Sequence, residues 1–148
     1  MTELTEQLSA ELSTALTTEA MAVQRYTYFA RIAEIEGHRE IAQLFTELAE
    51  TTSCVAHGHL DLLQPIADPA TAQPIGDTRL NLASALAGGL RDADEHYPRW
   101  TAAAHAAGCA DIASWLTSLA ALKHAHVARI NNALATVTTV AGQGSAPE

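Results

Sequence analysis

Four ionisable side chains interrupt stripes that are otherwise apolar: Glu19, Asp92, Lys123 and His126. Glu19 falls among Leu12, Leu16, Val23 and Tyr26, and Asp92 follows Leu82, Leu86 and Gly89. Lys123 and His126 lie between Leu119 and Ile130. Taking an unpaired charge out of water is costly, so groups in such positions pair, bind metal or change protonation. Two acids against one lysine and a titratable histidine come close to neutrality, which suits a structural charge cluster. A desolvated lysine is also a base or Schiff-base nucleophile, with His126, Asp92 or Glu19 as its partner. A third chemistry uses Glu19, Asp92 and His126 as a carboxylate-rich set for one iron or another divalent metal.

Helices must position these residues. Apolar residues at helical spacing and Gly/Pro punctuation predict four of them. They run over about 5–36, ended by Gly37; 39–64, stopped by Pro65; 80–107, closed by Gly108 and bent by Pro98; and 111–140. Residues 142–148 read as a flexible tail after a domain covering 1–141. A shift of 71 residues lays Tyr26 on Tyr97, Phe29 on Trp100, Gly37 on Gly108 and Ile41-Ala42 on Ile112-Ala113. The match has no gap, so the expected fold is all-α: two related helical hairpins joined by a long crossover at Pro65–Thr78. On the second helix the expected core stripe is Ile41, Leu44, Phe45, Leu48, Thr52, Val55, His59 and Leu62. Cys54 reads as a small buried hydrophobe near that stripe. Asp94-Glu95-His96 reads as a solvated turn with His96 partly inward, and His57-Gly-His59 points to two different faces.

Composition narrows the function. The 148 residues carry a formal net charge of -9 with only eight Lys+Arg, so the basic footprint of a nucleic-acid binder is missing. No run approaches the roughly 20 apolar residues of a membrane span. The first residues have neither the basic nor the apolar region of a signal peptide. Two cysteines, Cys54 and Cys109, make no disulfide framework. A reduced, cytoplasmic protein is expected.

Three segments then carry a family resemblance. Glu19-Ala-Met-Ala-Val-Gln-Arg-Tyr-Thr-Tyr-Phe-Ala30, the Glu36-Gly-His turn before Ile41-Ala42, and Tyr97-Pro98 resemble the rubrerythrins of the ferritin-like superfamily. The similarity covers about Leu8 to Leu134. It implies a ferritin-like four-helix bundle that pairs as a homodimer, with Trp100, Trp115 and alanine-rich faces of the third and fourth helices as candidate contacts. It also implies two irons inside the bundle and peroxide reduction. Electrons often come from a rubredoxin-like domain with four cysteines, more than this sequence holds.

The family pattern is Glu on helix one, Glu-x-x-His on helix two, Glu-x-x-Glu on helix three and Glu-x-x-His on helix four. Glu19 matches the first glutamate and His126 the last histidine. Thr52 and Val55 stand at the helix-two ligand positions, Gly89 and the shorter acid Asp92 at those of helix three, and Lys123 at the glutamate position of helix four. The repeat gives the same register, laying Thr52 on Lys123 and Val55 on His126. A two-iron centre needs bridging carboxylates, and a lysine ammonium repels the metal. The expected protein is therefore rubrerythrin-like with a dismantled two-iron site, metal-free and without a cofactor. Glu19, Asp92, Lys123 and His126 would serve as charge balance, or as the working groups of a small-molecule pocket lined by Tyr26, Thr52, Cys54, Val55, Gly89 and Tyr97. The alternative is a rubrerythrin-type oxidoreductase with one metal on Glu19, Asp92 and His126.

Overall fold

The computed structural model describes residues 4–143, with side chains as far as 138. All regular structure among them is helical: α1 (Glu6–Ile35), α2 (Arg39–Leu63), α3 (Thr78–Arg91), a π turn (Asp92–His96), α4 (Tyr97–Ala106) and α5 (Ala110–Gln143). Thr5 starts α1 by accepting the Leu8 N–H at 3.2 Å, and Asp77 starts α3 by accepting that of Leu80 at 2.8 Å. Both bonds satisfy an amide that a helix N-terminus otherwise leaves unpaired. The backbone stays right-handed helical from α3 through the π turn into α4, so 78–106 is one rod. Four rods and no strand among the described residues are the elements of an all-α ferritin-like bundle. The chain divides into two compact units, Met1–Pro69 and Ala70–Glu148. Each contains one helical hairpin.

In the first, α1 packs against α2. Gly37 joins them at φ +83°, a conformation that costs any residue with a Cβ. Its N–H donates to Glu34 O at 3.0 Å, and His38 N–H donates to Ala33 O at 2.8 Å. This pair of bonds is the Schellman ending of a helix. The buried row of α2 is Ala42, Ala49, Ala56 and Leu63, at seven-residue intervals. Ile41, Leu44, Leu48, Val55 and Leu62, of the stripe the sequence predicts, are left uncovered by α1. Methyl side chains let two helix backbones approach closely, so the neighbouring alanine row forms the hairpin seam.

The second hairpin repeats this construction. Gly108 has φ +72°, its N–H donates to His105 O at 3.0 Å, and Cys109 N–H donates to Ala104 O at 2.9 Å. Ala113 is fully buried at the position corresponding to Ala42. Thr46 and Thr117 each bond back to the carbonyl four residues earlier, at 3.0 and 2.9 Å. The duplication seen in the sequence thus extends to the hydrogen bonds of the turns.

The π turn is where the halves fall out of step. From Tyr26 onward the offset is 71 residues, whereas upstream Leu12 meets Leu82 and Leu16 meets Leu86 at an offset of 70. A π turn holds one residue more than the α-helical turn it replaces. Tyr97 N–H accordingly reaches back five residues to Asp92 O. Directly after it comes Pro98, whose ring in a regular helix would meet the carbonyl of Asp94. Where the sequence predicts a bend at Pro98, the structure has this widened turn directly before it. In the upstream register Glu19 corresponds to Gly89.

The crossover leaves α2 at Leu63 and, within the second unit, lies along α3. The Thr71 and Ser84 hydroxyls bond to each other while buried, and Arg91 Nη1 donates to Ala70 O at 3.3 Å. The tail expected from 142 begins inside α5, which runs to Gln143; residues 144–148 lie outside the described range.

Candidate functional site

The second hairpin holds a compact polar group built on the π turn. Asp92 opens that turn, and His96, four residues on, points back along the same face. His96 Nδ1–H donates to Asp92 Oδ1 at 2.9 Å. From α5, Lys123 Nζ donates to the other carboxylate oxygen, Oδ2, at 3.1 Å. Both carboxylate oxygens of Asp92 are therefore engaged. The side chains of all three residues are about one-third exposed, at 31–32%. Burial alone pushes the Asp92 carboxyl up, but hydrogen bonds and positive charge from His96 and Lys123 outweigh it. The net effect holds Asp92 below its ordinary 3.8.

Aromatic rings flank this group. The Lys123 ammonium lies 5.8 Å from the Tyr97 ring centre, within cation–π range. His96 stacks on Trp100 at 5.5 Å, and Tyr97 meets Trp100 edge-on at 5.0 Å. A second cross-helix pair lies beside it, with His124 Nε2 3.5 Å from Asp94 Oδ1 and both side chains exposed.

The hairpin brings together Asp92, Lys123 and Tyr97 of the residues singled out in the sequence. His126 stands exposed at the edge of an open groove of 360 Å³, with Leu82, Arg129, Ile130 and Ala133. At Gly89, a Cβ would come 3.0 Å from Val127 Cγ2 of α5. Val127 therefore occupies the space beside Gly89.

In the first hairpin Glu19 is half-buried on α1, and Tyr26 stacks on Phe45 at 6.2 Å. Phe29 meets Phe45 edge-on at 5.5 Å beneath the Arg25 guanidinium. On α2 Thr52 is half-buried and Val55 is exposed; Cys54 is exposed instead of buried. Its position beside the alanine seam, not on it, is the reason. His59 is half-buried and His57 exposed, as their spacing predicts.

His96 is the member of this polar group that sequence reading undervalued. The signal was the Asp92-x-x-x-His96 spacing, which puts acid and imidazole on one helical face. Within either hairpin, among the described residues, no group of three or more His, Cys, Asp or Glu could hold a metal ion.

Comparison with known proteins bears on this arrangement. The rubrerythrin family model matches residues 11–134. The rubrerythrin of Porphyromonas gingivalis is 32% identical over 115 residues, covering 75% of this chain and 58% of that protein. Rubrerythrin-1 of Clostridium acetobutylicum is 27% identical over 128 residues, covering 81% of this chain and 66% of that protein. The chain thus spans about three-fifths to two-thirds of the length of these relatives. With the helix order, the repeated hairpin and the match over most of the sequence in agreement, the chain belongs to the rubrerythrin family.

Proposed function

We propose that this protein is a metal-independent member of the rubrerythrin family, in which a Lys123–Asp92–His96 relay supplies the charge balance that iron gives its relatives. The observation that carries this reading is the 3.1 Å bond from Lys123 Nζ to Asp92 Oδ2. A metal at Asp92 would lie beside the Lys123 ammonium, whose positive charge repels it, and would compete with the imidazole N–H for the other oxygen. On the family pattern Thr52, Val55, Gly89 and Lys123 occupy ligand positions, and none of the four offers a carboxylate or imidazole. The residues present do not fit a two-iron ligand set, so no step of this protein's chemistry runs through one. The close approach of Val127 to Gly89 adds support, because a glutamate there would first have to displace α5's packing.

The test is metal analysis of the chain expressed in iron-supplemented medium and purified without chelators, followed by anaerobic titration with ferrous iron. Substoichiometric metal with unchanged helicity is expected. Two irons per chain with peroxide turnover overturns the proposal. A single bound metal lost in His126→Ala replaces it with a mononuclear site on Glu19, Asp92 and His126.

A further inference from the structure

The first hairpin carries a polar groove of its own. It lies between α1 and α2 beside the Gly37 turn, measures 570 Å³, and is lined by Glu34, Arg39, Ala42, Gln43 and Thr46. Arg39, Gln43 and Thr46 follow one face of α2, and Glu34 stands in the last turn of α1. The Gly37 and His38 backbone bonds fix the two helix ends, so the walls are held in place. Glu34 and Arg39 bring opposite charges, and neither has an ion-pair partner among the described residues. Existing hydrogen bonds orient the neutral groups. Gln43 Nε2 donates to Glu47 Oε1 at 3.0 Å, which leaves the Gln43 carbonyl oxygen to accept from elsewhere. The Thr46 hydroxyl donates to Ala42 O at 3.0 Å, so its oxygen can only accept. The groove thus offers three acceptors, on Glu34, Gln43 and Thr46, beside the cationic fork of Arg39. The repeat shows that a turn of this kind does not need the set. Ala42 and Thr46 recur as Ala113 and Thr117, whereas Glu34, Arg39 and Gln43 fall on His105, Ala110 and Ser114.

We infer that this groove binds the zwitterion of a free α-amino acid. A primary ammonium has three N–H donors, which match the Glu34 carboxylate, Gln43 Oε1 and Thr46 Oγ1. The neighbouring carboxylate pairs with the Arg39 guanidinium, whose planar fork grips both oxygens. A plain cation would leave Arg39 without a partner, and a plain anion would meet the like charge of Glu34. Of the lining residues only Ala42 is apolar, so recognition is of the ammonium and carboxylate common to amino acids, not of one side chain. Glu34 and Arg39 are exposed, water screens both contacts, and the expected affinity is millimolar. The groove shares no residue with the Lys123–Asp92–His96 group, so the inference stands apart from the metal-independent reading.

The test titrates the full chain, isotopically labelled, with L-alanine at neutral pH and follows the amide NMR signals. Saturable shifts are expected at the backbone amides of Arg39, Gln43 and Thr46 and at the Gln43 side-chain amide. Ser114 and Thr117, at the matching turn of the second hairpin, should stay still. Lactate lacks the ammonium and alaninamide lacks the carboxylate. Each should bind at least about ten-fold more weakly, the worth of one charge-assisted hydrogen bond. Glu34→Gln and Arg39→Gln should each weaken alanine binding by a similar factor with helicity unchanged. Glu34→Gln should leave the response to lactate no weaker, and Arg39→Gln should do the same for alaninamide, which assigns each charge to its end of the ligand. No saturable shift at the solubility limit of alanine overturns the inference. So does an equal response to lactate or alaninamide, or an equal shift at Ser114 and Thr117. These three readouts use the unmodified chain, so a variant that fails to fold does not shield the inference.

Discussion

Lys123 brings a positive charge to its stretch of α5, and Asp92 neutralises it. The pair is one-third exposed, so solvent screens it, and its contribution falls near the upper end for surface ion pairs. Lys123→Met should therefore cost about 1 kcal/mol in urea denaturation, since Asp92 keeps His96 as a partner. The pH dependence follows from the direction of the Asp92 shift. Its carboxyl is held below 3.8 in the folded state, so the unfolded chain takes up a proton first as the solution is acidified. The stability that Asp92 contributes is present in full above 3.8 and is lost as pH falls through its lower folded value. Denaturation midpoints of wild type and Asp92→Asn, compared from neutral pH into the acid range, should differ most at the neutral end and converge at the acid end. Cys54, by contrast, has only its exposure, and nothing around it turns the thiol into a site.

At the scale of elements, the π turn and the glycine before it set the geometry. Gly89 lets α3 and α5 close until a Cβ would sit 3.0 Å from Val127 Cγ2. Alanine is the better helix former by about 1 kcal/mol, yet overpacking a tight contact costs about 1–3 kcal/mol. Gly89→Ala should therefore destabilise the protein by up to about 2 kcal/mol. Val127→Ala in the same chain should remove the clash and make the glycine replacement stabilising. A double-mutant cycle of denaturation free energies measures that coupling. The extra residue of the π turn explains why a gapless repeat begins at Tyr26 and Tyr97. It also separates Asp92 and His96 by one widened turn, with Oδ1 and Nδ1 in bonding range.

The whole molecule is one hairpin design used twice. Gly37 and Gly108 share the same left-handed conformation and the same two backbone bonds, and a Cβ at either would have nothing within 4 Å. The cost of Gly37→Ala or Gly108→Ala is then conformational alone, about 1–2 kcal/mol at each site. Equal losses in denaturation free energy are expected, whereas an inequality beyond about 1 kcal/mol would show that the turns are not equivalent. What has diverged between the hairpins is side-chain chemistry. Thr52 and Val55 in the first correspond to Lys123 and His126 in the second, on matching stretches of helix.

By itself, the sequence determined the helices, their punctuation, the duplication, and a lysine within an apolar stripe. These properties are periodic or local, and a side chain's type and its distance along the chain are enough to state them. Tertiary structure decided which row of α2 became the hairpin seam, because helix approach depends on how small the facing side chains are, and the alanine row meets α1. It also decided that Asp92 meets Lys123 and His96 while His126 stays exposed. A hydrogen bond needs its atoms placed within a few tenths of an ångström, and between α5 and the π turn only the packing of two helices fixes that.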